Sequence, residues 1–536
     1  MSRLRFLDQP SRRADYLVLG ICMLGILTVT YVRELVYFRD YAIIYEGALR
    51  LALGQLPYRD FGSPVGPGSF VMPALLFKLF GVNWSVFLAA QQLQHACLLW
   101  LLNALLKRIG TRPFVRWSSL VFVSGLHLMM VPHPWYNTTA FLLLVAAVFC
   151  ALGSRLRSVV GAGLLSTLTV LTKQDFGLLA VLMAGGFVAL MALGSDREKI
   201  VPSLDVFTDK SRLMTLGFRL VVFAGAAAGM LVVFIYATDA AKFAYWFNYG
   251  QAPHGRRGLS VASFSVLGFA TAVVALVRND FRLLIAAAFI IASSVTKTTS
   301  GIYWTHYYFV AFLPLLIDEA MRIKPPLKVL LLPAILYFAF QPARDSAYTL
   351  RQAAYSVRMK LFPEAMKSPA VLTSFPTGLI AFSPRTQVPS ETLEVILELK
   401  RTASEIRALK GQKAELKVIN VTELTPIYAE LGVAPPLGLP LWFHTGISLF
   451  PQEIEQLSNT FSGSDYDIVL VQATHEGLMP TYQRFLSVLR ANESYMLWRE
   501  IRGSPANASM YCEPNCPANI FIYLKKNAVP ASISRN

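Results

Sequence analysis

The sequence predicts a polytopic α-helical membrane protein with an appended α/β domain. Three observations carry the prediction of fold class. Hydrophobic residues make up 54% of the 536 residues and charged residues only 15%, against about a quarter charged in ordinary soluble chains. Apolar runs long enough for a hydrocarbon core about 30 Å thick recur through the first 340 residues and then stop. From residue 341 on, 19 Lys and Arg stand against 17 Asp and Glu, so nearly all of the net charge of +17 lies in the apolar half. A soluble part with balanced charge offers no basic face to nucleic acid. Basic loops between apolar segments suit anionic headgroups or a phosphate-bearing substrate.

The elements follow in order. Arg3, Arg5, Arg12 and Arg13 precede the apolar run Tyr16 to Tyr31, and no small-residue cleavage site follows it. The run reads as a retained first helix with a cytoplasmic N-terminus. Further spans are expected at 84–106, 115–131, 138–153, 157–172, 176–193, 215–236, 260–277, 281–297, 303–319 and 327–340. That makes about 11 transmembrane helices, and an odd number places the tail outside. The expected inner loops at 107–116, 154–158, 195–212, 278–282 and 319–328 each hold at least two basic residues, while the outer turns 132–137 and 173–175 hold one Lys between them. This is the positive-inside bias. The outer loop 237–259 breaks it with Lys242, Arg256 and Arg257.

The first outer segment, 32–83, is too long for a turn. IIYEGALRLALG (43–54) reads as an amphipathic helix in the interface plane, with Ile43, Ile44, Ala48, Leu51 and Leu53 toward lipid and Glu46 paired with Arg50. SFVMPALLFKLFG (69–81) reads as a second short interfacial or re-entrant helix. Between them, three prolines and four glycines in GQLPYRDFGSPVGPG force sharp turns. Beyond about residue 345, helices at 391–411, 423–432 and 481–492 alternate with strands at 416–420, 466–472, 495–501 and 519–525. They predict a small α/β domain with a mostly parallel sheet. The division is therefore a transmembrane domain over 1–344, with 32–83 as its external first loop, and an external α/β domain over 345–536.

Several residue groups have the chemistry for a site. Asp40 follows the first span where the interfacial helix begins. It reads either as a helix N-cap or as a general base at the membrane surface, and the two roles are compatible. Tyr58-Arg59-Asp60-Phe61 is either a solvated turn or a second carboxylate lining the same cavity. Lys173 and Asp175 occupy a turn between two spans, where an ion pair at membrane depth is costly unless satisfied. His254, Arg256, Arg257, Lys297 and His306, with Tyr307, fall at the external ends of helices. They read as headgroup anchors or, as a group, as a phosphate clamp. Cys22, Cys97 and Cys150 lie in apolar segments as small hydrophobes. Cys512 and Cys516 in CEPNC favour a disulfide over a metal site, which would need two more ligands, and over free thiols.

The segment RDYAIIYEGALRLALGQLPYRDFGSPVGPGSFVMPALLFKLFG resembles the first external loop of GT-C glycosyltransferases, in the branch of protein O-mannosyltransferases and the lipid A aminoarabinose transferase. THYYFVAFLPLL (305–316) is similar to a late helix of that family, and LTPIYAELG to segments of its external tails. The departure is Tyr41, where many relatives carry Glu after the Asp. The resemblance implies a polytopic enzyme, a multi-pass protein of the bacterial inner (cytoplasmic) membrane with a periplasmic tail, using a polyprenyl-phosphate-linked sugar. It puts Asp40 in the role of catalytic base, with Asp60 as a second acid. It makes Lys173, Arg256, Arg257, His306, Lys297 and His254 donor-phosphate ligands and Tyr58, Arg59, Asp175 and Tyr307 cavity residues. The acceptor is a glycan, lipid or protein hydroxyl, and no cofactor or metal is implied. A flippase of lipid-linked saccharides and a non-catalytic scaffold with an external binding domain are the competing classes.

Overall fold

The computed structural model describes residues 12–32, 34–35, 39–130, 135–194, 209–249, 259–300, 306–322, 372–374, 386–411, 415–422, 427–441, 443, 449–473, 479–504 and 518–529. The chain divides into two compact units. One comprises Met1–Thr30, Gln91–Ala237 and Pro253–Lys360; the other comprises Tyr31–Ala90, Thr238–Ala252 and Leu361–Asn536.

The first unit is helical. Its helices are α1 (Arg12–Val32, whose last residues pass into the other unit), α4 (Trp84–Arg108, which starts there), α5 (Pro113–Met130), α6 (Tyr136–Ala151), α7 (Leu156–Val170), α8 (Gln174–Ala192), α9 (Lys210–Ala237), α11 (Leu259–Arg278), α12 (Phe281–Ser300) and α13 (His306–Met321). They coincide with ten of the eleven expected spans; the eleventh, 327–340, lies outside the described residues. Among the described residues, Trp84–Arg108, Gln174–Ala192 and Lys210–Ala237 are long and apolar enough to cross a membrane by length and composition, and several shorter apolar helices accompany them.

Local chemistry explains the breaks. Asp209 and Asp280 stand just ahead of α9 and α12 and accept the free N–H groups of Ser211 and Arg282 at 2.9 Å, which satisfies donors that helix starts leave open. Small residues set the close crossing of α7 and α9. A Cβ on Gly163 would lie 2.5 Å from the Phe223 carbonyl oxygen, and Thr167 Oγ1 donates to Ala227 O at 2.9 Å.

The second unit joins the first loop, the segment after α9 and the tail. The first loop supplies β1 (Glu34–Leu35), α2 (Arg39–Ala52) and α3 (Gly68–Phe80); the segment after α9 supplies α10 (Ala240–Tyr249). The tail supplies β2 (Leu372–Ser374), β3 (Thr386–Pro389), α14 (Ser390–Lys410), β4 (Val418–Val421), α15 (Ile427–Leu431), α16 (Pro451–Ser462), β5 (Ile468–Ala473), α17 (Met479–Ala491), β6 (Tyr495–Ser504) and β7 (Ala518–Lys525). β1 pairs parallel with β3 through Glu34↔Thr386 and Leu35↔Gln387, so the chain joins the tail's sheet five residues before Asp40.

The larger sheet has the order β4-β5-β7-β6 and is mixed. β4 and β5 run parallel, whereas β7 is antiparallel to both β5 and β6. The expectation of a mostly parallel sheet is corrected here. β6 and β7 pair antiparallel from Tyr495↔Lys525 to Ser504↔Ala518. α16 and α10 are also additions, since neither segment reads as a helix from its apolar pattern alone. The core packs Leu457 and Phe461 of α16 and Phe485 and Leu489 of α17 against Ile419, Val469, Val471 and Phe521 of the sheet.

A second correction concerns α2. Ile43, Ile44 and Ala48 are core residues, not lipid-facing ones, and Glu46 and Arg50 on the other face are buried as well. Only Leu53, just past the helix, keeps large apolar exposure.

Candidate active site around the first loop

Asp40 is the second residue of α2, inside its first turn and not ahead of it. A carboxylate at that position is favoured by the positive end of the helix dipole. Its side chain lies outside the described residues. What holds the helix beneath it is described in full. The aromatic ring of Tyr45 is completely buried against Phe77 (5.1 Å between centroids), Phe87 (5.3 Å) and Trp84 (5.7 Å). Gly47 lets Phe70 of α3 approach so closely that a Cβ there would lie 2.8 Å from the ring.

The polar face is fixed by one guanidinium. Arg50 donates to Glu46 Oε1 through Nε (2.9 Å) and Nη2 (2.7 Å), and through Nη1 to Gln55 Oε1 (3.1 Å) and to the carbonyl of Pro436 (2.8 Å). Gln55 Nε2 donates in turn to Pro435 O at 2.9 Å. The planar fork of Arg suits this many acceptors. Burial pushes the Glu46 carboxyl upward, and the adjacent Arg50 opposes that shift. Pairing makes the buried carboxylate tolerable.

The proline-rich turn is equally determined. Tyr58 has φ +64°, a left-handed conformation uncommon for a bulky residue. It is held by Tyr58 N donating to Phe61 O at 2.8 Å and by its ring lying edge-on to Phe243 of α10. Asp60 Oδ2 accepts from Leu56 N at 2.7 Å, and Arg59 donates to both its oxygens. The Arg59 guanidinium, with smaller help from the Leu56 amide and Lys242, holds the Asp60 carboxyl below the usual carboxylate range against the effect of burial. Gly438 N donates to Asp60 O, and Leu441 N to Gly62 O, both at 2.7 Å. α10 is tied to the tail by Tyr245 Oη donating to Glu453 Oε2 at 3.1 Å, and Lys242 Nζ donates to Arg59 O at 3.4 Å.

In the helical unit, Lys173 and Asp175 form a buried pair at 3.1 Å at the start of α8. The Lys173 ammonium also lies over two rings, Phe176 at 4.9 Å and Tyr136 at 5.6 Å from the centroids. For Lys297 in α12 and for His306 and Tyr307 at the start of α13, the backbone alone is described. His254, Arg256, Arg257, Cys512 and Cys516 lie outside the described residues. Cys22, Cys97 and Cys150 are free thiols. Among the described residues no cluster of His, Cys, Asp or Glu could hold a metal.

The structure thus joins Tyr58, Arg59 and Asp60 to the helix that carries Asp40, and it pairs Lys173 with Asp175. Sequence reading missed the grip of Arg50 and Gln55 on Pro435 and Pro436, for which only the Glu46/Arg50 spacing gave a signal. It also missed Gln91, Gln92, Gln94 and His95, although four polar residues inside a span are a visible signal.

No family model and no curated protein matches the chain. Solved structures do align along nearly all of it. ArnT from Cupriavidus metallidurans bound to undecaprenyl phosphate shares 13% identity over 96% of this chain and 98% of its own, with a TM-score of 0.49. The same protein in the apo state aligns with a TM-score of 0.47 and 12% identity over 95% and 97%. The Archaeoglobus fulgidus oligosaccharyltransferase in the apo form aligns with a TM-score of 0.45 and 11% identity over 91% and 73%. The residue roles below rest on this chain alone.

Proposed function

We propose that the protein is an inverting glycosyltransferase that moves a sugar from a polyprenyl-phosphate donor to an acceptor hydroxyl on the external face of the membrane. The observation that carries the reading is Asp40, a carboxylate in the first turn of a helix fixed on both faces, directly after the first span. A general base has to be held in place to be effective. Asp40 takes the proton of the acceptor hydroxyl as its oxygen attacks the anomeric carbon. The bond from that carbon to the phosphate oxygen breaks, and polyprenyl phosphate departs with the electron pair and the added negative charge.

Basic groups stabilise that charge as it develops. Lys173 contributes with Asp175 as its counter-ion, together with Arg256, Arg257, His254, Lys297 and His306. Tyr307 and the Tyr58-Arg59 turn line the acceptor side. Asp60, kept ionised by Arg59, serves as an anion that holds the turn and not as a proton donor. The reading takes about 11 spans and an external tail from charge alternation. The β1–β3 pairing supports a common side for first loop and tail.

Asp40→Asn tests the assignment in purified, membrane-embedded protein. Sugar transfer from a lipid-phosphate donor is expected to fall about 10²–10⁴-fold, with an unchanged melting profile. Undiminished transfer in this variant rules out the base. Transbilayer movement of the donor with no release of free polyprenyl phosphate points to a flippase instead.

A further inference from the structure

The turn between α11 and α12, the end of α13 and the start of α5 share one ion-pair network within the helical unit. Glu319 of α13 is buried, its side chain 4% exposed, and three guanidiniums surround it: Arg278 at 3.1 Å, Arg282 at 3.2 Å and Arg322 at 3.4 Å. Asp318 pairs with Arg322 and, at 3.6 Å, with Arg112, while Asp280 pairs with Arg282 at 2.6 Å. Four arginines stand against three carboxylates, which leaves one positive charge. The charge alternation read from the sequence puts all of these loops at the inner side of the membrane.

The network does not use up its donors. Arg282 and Arg322 donate to Asp280 and Asp318. Neither oxygen of Glu319 accepts an aligned hydrogen bond, so the guanidiniums hold it by charge alone. The ion pairs to Asp318 and Glu319 are the polar contacts of Arg112 and Arg278 among the described residues, and these two side chains are 51% and 41% exposed. Each guanidinium carries five donors in a planar fork that matches phosphate oxygens. The surroundings of the forks are apolar. Phe269, Val273 and Val277 are spaced four apart on one face of α11 and are all exposed, Val277 to 81%, one residue before Arg278. Exposed Ile317 and Met321 lead in the same way to Arg322, and exposed Phe114 follows Arg112. The α11 stripe is about 12 Å long at the helical rise, enough to lie along part of an acyl chain.

We infer that this end of the bundle is a docking site for an anionic phospholipid of the inner leaflet, whose phosphodiester takes the open fork of Arg278 and whose acyl chain lies along Phe269, Val273 and Val277. The surplus charge decides the headgroup. A headgroup of net charge −1 leaves the cluster neutral, whereas a zwitterionic one brings a cation next to four guanidiniums. The apolar stripe decides between a lipid and a free phosphate, since a free phosphate would leave the stripe without a partner. The inference concerns the membrane partner and does not depend on the transferase reading.

The test is native mass spectrometry of the full chain released from nanodiscs of phosphatidylglycerol and phosphatidylcholine in equal parts. Phosphatidylglycerol is expected to be retained about fivefold or more over phosphatidylcholine. Arg278→Gln is expected to abolish that preference, and Arg282 and Arg322 still answer Glu319 in this variant, so the fold persists. Arg112→Gln, which gives up only the longest ion pair of the set, is expected to weaken the preference and carries the test if Arg278→Gln does not fold. Val273→Ser combined with Val277→Ser is expected to lower phosphatidylglycerol retention. Arg155→Gln, at an exposed arginine ahead of α7, is expected to leave it unchanged. Equal retention of the two lipids by the wild type overturns the inference, and so does an Arg155→Gln loss as large as that of Arg278→Gln, which would mean general surface charge. Displacement of the lipid by inorganic phosphate, with the serine variant behaving as wild type, means a free-anion site and overturns the lipid. A lipid-free dimer means that a second copy covers the face and overturns it as well.

Discussion

α2 and α9 are both written largely in apolar residues, and the structure treats them in opposite ways. α2 buries Ile43, Ile44, Tyr45, Ala48 and Leu49 together with two charged side chains, Glu46 and Arg50. α9, twice as long, buries only Phe223 and leaves Met214, Val221, Val233 and Tyr236 open. For a protein in water this contrast would be upside down. In a bilayer it is expected: an apolar helix such as α9 suits lipid, while the polar face of α2 has to be satisfied by protein. Hydropathy therefore reports that a segment avoids water. Whether it meets lipid or protein depends on the charged residues it carries and on what answers them.

The largest effect expected from this contrast is at Arg50. Arg50→Ala removes the bonds to Glu46, Gln55 and Pro436 and leaves a buried carboxylate without its partner. Breaking one side of such a pair costs about 3–5 kcal/mol. Loss of the folded protein, or a strongly lowered melting temperature in detergent, is the expected result. Replacing Glu46 and Arg50 together by Met should recover much of that loss, because no buried charge is then stranded. An Arg50→Ala protein that melts like wild type breaks the comparison, since α2 would then be no more anchored than α9.

Glycines sharpen the comparison at intermediate size. Gly47→Ala sets a Cβ against the Phe70 ring, and Gly163→Ala sets one against the Phe223 backbone of α9. Overpacking of this kind costs typically about 1–3 kcal/mol. At Gly225, on the open side of α9, an added Cβ meets nothing within 4 Å. Gly225→Ala is expected to change the melting temperature least, within about 0.5 kcal/mol equivalent. A Gly225 effect as large as that at Gly163 would mean that protein, not lipid, covers this face of α9.

The helical unit was legible because its signals are long and redundant. Ten spans read from hydropathy coincide with helices whose ends are fixed by local residues such as Asp209 and Asp280. The tail strands were legible too, but not their directions, because β6 and β7 read the same whether the pair is parallel or antiparallel. The site was legible only in part. Asp40 and Asp60 could be singled out, and Glu46 and Arg50 matched by spacing. That Arg50 also donates to the Pro436 carbonyl depends on a residue nearly 400 positions away, which no local pattern contains. The glutamines of α4 were visible as polar residues in an apolar run. Thr30 and Thr139, the partners of Gln92 and Gln94, and His127, which stacks on the neighbouring His95, come from three other helices, so only the folded chain brings them together.

The smallest expected effect is a pH dependence in the turn that follows α2. The Asp60 carboxyl is held low first by Arg59, then by the Leu56 amide and Lys242, against the opposing effect of burial. A carboxyl whose folded pKa lies below its unfolded value stabilises the fold above that unfolded value, near 4 for Asp, and loses the contribution as the pH falls through the folded one. Arg59 is half exposed, so screening keeps the contribution small, at most about 1 kcal/mol. Hydrogen exchange should register it as falling protection of the Leu56 amide below about pH 4, after correction for the intrinsic exchange rate. The rest of α2, gripped through Arg50, should stay protected over the same range. Asp60→Asn should weaken Leu56 protection already at neutral pH and leave sugar transfer within a few-fold of wild type, in contrast to Asp40→Asn. If Asp60→Asn abolishes transfer while Leu56 stays protected, Asp60 is a reacting group and not the anchor of the turn, and the contrast between the two carboxylates is lost.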